Sequence, residues 1–137
     1  MKRLATLTAT ALTAAALLSA PPALARDRVN GEEKLAKLLE GREAGEPVSC
    51  LPLWQTRESQ VINKTAIVYG RGNTIWVNRP TNADRLDDRD ILVTDLRTSQ
   101  LCNVDTIQIR DRGPGFFWRG FVGLQDFVPY RKVASAN

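Results

Sequence analysis

The sequence predicts a mainly β fold: a small twisted antiparallel sheet or barrel of five or six strands, with one short N-terminal helix and one disulfide. Three observations carry this expectation. Beyond Pro47 the chain breaks into short β-type runs separated by turn residues, only one stretch before Pro47 has helical spacing, and Cys50 and Cys102 are the only thiols among 137 residues. That length suits a single domain.

The first residues are set apart from the fold. Met1-Lys2-Arg3 is a cationic start, and Leu4 to Ala20 contains only Leu, Ala, Thr and one Ser. This is the pattern of a secretory signal peptide, and Ala23-Leu24-Ala25 places the expected cleavage before Arg26. The strongly apolar part, Leu4 to Leu18, is 15 residues long, short of the roughly 20 needed to span a bilayer. Neither cysteine follows it closely enough to take a lipid. The expected organisation is therefore a signal peptide at 1–25, an N-terminal helix and linker at 26–47, and a β-rich domain at 48–133, in a periplasmic or secreted protein with no membrane span in the mature chain.

The 19 Lys and Arg against 15 Asp and Glu give the precursor a net charge of +4. Removing Lys2 and Arg3 leaves 17 against 15, a net of +2. Basic and acidic residues are interleaved, as in ADRLDDRD at 83–90, so the clustered positive face of a nucleic-acid binder is not expected. The chain has no His, which removes Ser-His-Asp triads, Cys-His pairs and His-ligated metal centres.

The helix is expected at residues 31–40. Asn30 stands three residues before Glu33 in a capping-box arrangement, Leu35, Leu38 and Leu39 share one side, and Gly41 offers a stop. Strands follow at Ser59 to Ile62, Thr65 to Tyr69 and Thr74 to Asn78, with a turn at Asn63-Lys64 and a hairpin closed by Gly70 to Asn73. Apolar residues occupy both parities of TAIVY and TIWVN, so these strands should be enclosed on both faces. Asn78 to Asp90 is polar enough for a surface loop. Further strands are expected at Ile91 to Leu96 and at the alternating, half-exposed Thr106 to Arg110. The closing run FFWRGFVGLQDFVPYRK supplies aromatic bulk for the core, with Pro129 confining its last part to an edge or an irregular end.

Two cysteines in an exported domain are expected to pair, because oxidising compartments let disulfides persist. About 50 residues lie between them, a loop worth roughly 4 kcal/mol in the chain-entropy model. With no CxxC motif a redox role is disfavoured, and two thiolates without His make a poor metal site.

The ordered series GREAGEPVSC, TRESQVI, IWVN, QLCNVDTIQIRDRG and LQDFVPY, from Gly41 to Tyr130, resembles a family of small exported proteobacterial proteins classed as a domain of unknown function. Members usually carry two further cysteines. The matching stretches here, Asn82-Ala83-Asp84 and Gly120-Phe121-Val122, contain neither. If those two pair with each other, their joint absence leaves the Cys50–Cys102 bond untouched. The resemblance implies an exported, disulfide-stapled module and brings no activity, substrate or catalytic residue.

Candidate chemistry is sparse. Asp84, Asp87, Asp88 and Asp90 offer oxygen ligands for a hard cation, but Arg85 and Arg89 interrupt them and the spacing of a calcium loop is missing, so charge-paired surface is the expectation. Carboxylate pairs such as Glu58 with Asp105 or Asp95 with Asp111 would serve a His-independent glycan-acting enzyme only at the right separation. Phe116, Phe117, Trp118, Arg119 and Phe121 lie beside Arg110 and Arg112, a composition that stacks bases or sugar rings when exposed. Burial of these aromatics in the core is favoured, with Phe117 and Phe121 on one face and Phe116, Trp118 and Val122 on the other. The leading expectation is a non-enzymatic binding or structural component of the cell envelope, without catalytic residues, cofactor or metal. The alternatives are the carboxylate enzyme and an anionic-ligand binder using Arg110, Arg112, Trp118 and Arg119.

Overall fold

A computed structural model describes residues 23–134; the cationic start and apolar run of the expected signal peptide lie outside the described residues. The first element is helix α1, Ala23–Leu39. It begins well before Asn30, which therefore lies in its interior and caps nothing. The anticipated cleavage point between Ala25 and Arg26 falls in its opening turn.

Gly31 explains why the helix runs through a position that favours termination. A Cβ there would lie 2.1 Å from Thr65 Oγ1 and 2.3 Å from the Asn63 carbonyl oxygen. Only glycine lets the helix approach the turn that follows the third strand. Gly31, Leu35 and Leu38 form the inward stripe at helical spacing, and Leu35 is 1% exposed, a burial that contributes about 2 kcal/mol. Gly41, at φ +68°, ends the helical segment.

Among the described residues ten strands follow: β1 Arg42–Ala44, β2 Cys50–Pro52, β3 Ser59–Ile62, β4 Ala66–Tyr69, β5 Thr74–Asn78, β6 Ile91–Thr94, β7 Gln100–Cys102, β8 Thr106–Arg110, β9 Trp118–Gly123 and β10 Val128–Lys132. A four-residue helix, α2, covers Leu53–Thr56, and a 3-10 turn covers Ala83–Arg85. The strands form three sheets: β1-β10-β5-β4-β3, β2-β7 and β6-β8-β9. All pairings are antiparallel. None of the sheets closes into a barrel, and the strands number more than the expected five or six.

The five-stranded sheet is the middle of three layers. Ala66, Val68, Ile75 and Val77 face α1 and pack with Leu35 and Ile62. The opposite parity, Ile67, Tyr69 and Trp76, packs with Leu51, Leu101, Ile107, Ile109, Val122 and Phe127 from the other layer. The two-faced apolar pattern of β4 and β5 is thus satisfied from both sides. The hairpin between them has the expected location, with Gly70 and Gly72 at positive φ. Arg42 steadies it from β1 by donating to the carbonyls of Asn73 at 2.9 Å and Gly72 at 2.8 Å.

Pro129 is not at an edge. Strand β10 lies between β1 and β5, and proline is tolerated there because of where its missing N–H would point. The Pro129 carbonyl accepts from the Gly45 N–H at 2.8 Å, so both its backbone positions face the β1 side. Its partner there, Gly45, lies just beyond the end of β1, and the ladder to β5 loses no hydrogen bond.

Cys50 and Cys102 are bonded and stand opposite each other in the β2–β7 pair, with Cα atoms 4.0 Å apart. Asn103 donates to the Ser49 carbonyl at 2.8 Å, so the neighbouring register positions carry the ladder bonds. The Cys102 N–H, turned away from β2, is taken by Asp105 Oδ2 at 2.7 Å. The Leu101-Cys102-Asn103-Val104-Asp105 motif is thus a strand end and its side-chain cap.

Candidate functional site

The outer face of β6-β8-β9 is the place where the chain departs most from ordinary burial. On β8, Ile107 and Ile109 point inward and are each 1% exposed, leaving Thr106, Gln108 and Arg110 outward. Cross-strand register sets Ile91 and Val93 of β6 beside Arg110 and Gln108, and sets Trp118 and Phe121 of β9 on their other side. The outward row therefore reads Ile91, Arg110, Trp118 and, next to it, Val93, Gln108, Phe121.

Burial of the closing aromatics was the favoured expectation, and the structure reverses it. Phe116, Phe117, Trp118 and Phe121 are 57%, 70%, 62% and 53% exposed. Of the aromatic side chains in that run only Phe127 is fully enclosed, where it meets Tyr69 edge to face at 5.8 Å. Val122, Leu124 and Phe127 supply the interior contribution.

Simple alternation also fails, for a definable reason. Ile109 pairs with Gly120 while Arg110 pairs with Trp118, so Arg119 is an extra residue in β9. The bulge resets parity, placing Trp118 on the same face as Phe121 and separating it from Val122. Gly120 adopts φ +132° beside the bulge, and a Cβ there would come within 3.0 Å of Arg85 Nη1. The turn that presents Phe116 and Phe117 is held by Asp111, whose carboxylate accepts from the Gly113 N–H at 2.8 Å and whose own N–H donates to the Phe117 carbonyl at 2.9 Å.

The four expected surface residues separate into different roles. Arg110 and Trp118 are cross-strand neighbours on the outer face. Arg110 Nη2 reaches Gln108 Oε1 at 3.5 Å, while its Nε is buried without a partner among the described residues. Arg112 sits on the β8–β9 turn and reaches toward a groove of about 990 Å³ between β3 and β6. Arg119 turns its guanidinium to Asp90, whose side chain is 1% exposed, and so belongs to an ion pair. The sequence could not identify Ile91, Val93 and Gln108 as members of this face, because only the pairing register joins them to Trp118.

Three of the four aspartates of the acidic loop are charge-paired. Asp87 Oδ1 meets Arg89 Nε at 3.1 Å and Asp88 meets Lys34 at 3.7 Å. The Arg89 guanidinium holds the Asp87 carboxyl well down, at about 2. Asp90 goes the other way, because burial raises it despite Arg119. Among the described residues no three Asp, Glu, His or Cys side chains converge as metal ligands. Asp105 caps Cys102, and Glu58 pairs with Arg71 at 2.8 Å.

The second edge of β9 is covered by the loop after β5. Asn82 donates to the Phe121 carbonyl at 2.8 Å and accepts from the Gly123 N–H at 3.1 Å. Thr81 donates to the Gly123 carbonyl at 3.0 Å. The stretches Asn82 to Asp84 and Gly120 to Val122 are thereby brought side by side. No family model, curated protein or solved structure matches the chain. No helix among the described residues is long and apolar enough to cross a membrane.

Proposed function

We propose that this protein is an exported binding module whose working surface is the outer face of β6-β8-β9, and that its ligand presents flat or apolar surface beside negative charge. The observation that carries the reading is the uncovered pair Trp118 and Phe121 on a strand whose Gly120 and Val122, on either side of Phe121, are buried. A contiguous exposed apolar patch on a small domain marks a site of interaction. Arg110 beside Trp118 adds a cation, and Phe116 and Phe117 extend the apolar area from the adjoining turn.

The leader-like sequence and the disulfide support export to an oxidising compartment, and the motif series supports kinship with the small exported family named above. A carboxylate enzyme draws less support, since Asp105 and Glu58 are already engaged in a backbone cap and an ion pair.

Chromatography on immobilised heparin, a sulfated glycan, tests the surface. Retention is expected to be salt-sensitive, and weakened in Arg110→Ala and in Trp118→Ala. Replacing Arg119 alone serves as a contrast, because its effect should be on stability through Asp90. Equal retention of the wild type, Arg110→Ala and Trp118→Ala would overturn the assignment.

A further inference from the structure

A second aromatic site lies away from that face, where α2 meets the β4–β5 hairpin. Trp54, Trp76, Arg71, Arg131, Gln55 and Glu58 line a cleft of about 510 Å³. Its volume falls within the range of about 300–1,000 Å³ typical of small-molecule sites. Trp54 is 67% exposed although it stands on a well-anchored element. The helix α2 follows the disulfide-bonded strand β2 directly, and the Leu53 N–H is held by the Ser99 carbonyl at 3.1 Å. Trp76 contributes to the lining from β5 while also packing on the core.

The polar groups specify the ligand's chemistry. Glu58 offers an exposed carboxylate at the cleft, with Oε2 held by Arg71 at 2.8 Å and lone pairs left to accept from a ligand. Arg131 projects from β10 with no acidic partner among the described ion pairs. Two indole rings, an exposed carboxylate with accepting capacity left beside its ion pair, and a guanidinium outside the described ion pairs match one kind of molecule.

We propose that this cleft binds an acidic sugar. A pyranose ring would lie against the indoles, its hydroxyls donating to Glu58 and its carboxylate pairing with Arg131. A polyphosphate or nucleotide fits less well, because Glu58 repels multiple phosphate charge. The site is independent of the outer face of β6-β8-β9, and variants of each separate the two.

Titration of the full chain with trigalacturonate, followed by tryptophan fluorescence and calorimetry, tests the proposal. Saturable binding is expected, weakened about tenfold or more in Arg131→Ala, as befits the loss of a charge-assisted bond. Trp54→Ala should weaken it comparably, while Val104→Ala, at an exposed residue outside both surfaces, leaves it unchanged. Both Trp54 and Arg131 are exposed, so their replacement spares the core, and unchanged thermal melting would verify this. The neutral trisaccharide maltotriose should bind at least about tenfold more weakly for the same reason. The proposal is overturned by absence of saturable binding, by equal affinity for maltotriose, by tighter binding of AMP than of trigalacturonate, or by loss confined to Trp118→Ala.

Discussion

Removing the Cys50–Cys102 bond, by the double substitution Cys50→Ala and Cys102→Ala, should change stability without changing the native arrangement. The local geometry has other supports. Leu51 and Leu101, facing each other beside the bond, are each 1% exposed. Asn103 and Ser49 hold the ladder next to it, and Asp105 holds Cys102 on the other side. The main effect therefore falls on the unfolded chain, which regains the freedom of a segment spanning 52 positions. Loop-closure entropy for that length amounts to about 4 kcal/mol at 25 °C. Set against a typical total of about 5–15 kcal/mol, this removes a large fraction of the margin. Urea unfolding followed by tryptophan emission, for the oxidised protein and the double variant, measures it directly. At a slope of about 2 kcal/mol per molar, the midpoint should fall by roughly 2 M. A loss below about 1 kcal/mol would refute the loop argument, and a native spectrum altered before unfolding would refute the claim that the β2–β7 pair stands without its bond.

Two further substitutions test packing. Gly31→Ala, which in an ordinary helix interior stabilises by about 1 kcal/mol, should instead destabilise, since the new methyl group meets the Asn63 carbonyl at 2.3 Å; a raised melting temperature would contradict the close approach of α1 to that turn. Tyr69→Phe removes a buried hydroxyl that has no partner while keeping the ring against Phe127, so it should be neutral or stabilising by up to about 1 kcal/mol in thermal or urea melts; a loss of that size would reveal an acceptor for the hydroxyl.

Legibility in the sequence followed the length and regularity of each element. Strands β3, β5 and β8 lie at the expected positions because each has four or five residues bounded by turn signals. Strands β1, β2 and β7 have three residues each, too few for alternation to show, and they exist because a partner strand completes them. The helix start was hidden because Asn30 and Gly31 have the local chemistry of a terminus, whereas Gly31 answers a tertiary contact. Pro129 misled for a related reason: whether a missing N–H matters depends on which neighbour it would have faced. The disulfide was legible from composition, two cysteines behind a leader-like start. The outer face was half legible: Arg110 and the aromatics were named, but their exposure was misjudged because aliphatic side chains and Phe127 fill the core without them, and their faces were misassigned because one bulged residue reverses the parity. The Trp54–Trp76 cleft had no signal, since 22 positions separate residues that only the fold brings together.

The extra residue at Arg119 also governs how this surface can diversify. Side chains directed to water on β9 can be exchanged for others with little demand on what lies beneath, so new partners are accessible by replacement alone. Insertion or deletion of a single residue beside the bulge would instead drive indole and phenyl rings toward the interior and expose the small or aliphatic groups now sealed within. Variation by substitution is open to this strand, while variation by length is closed.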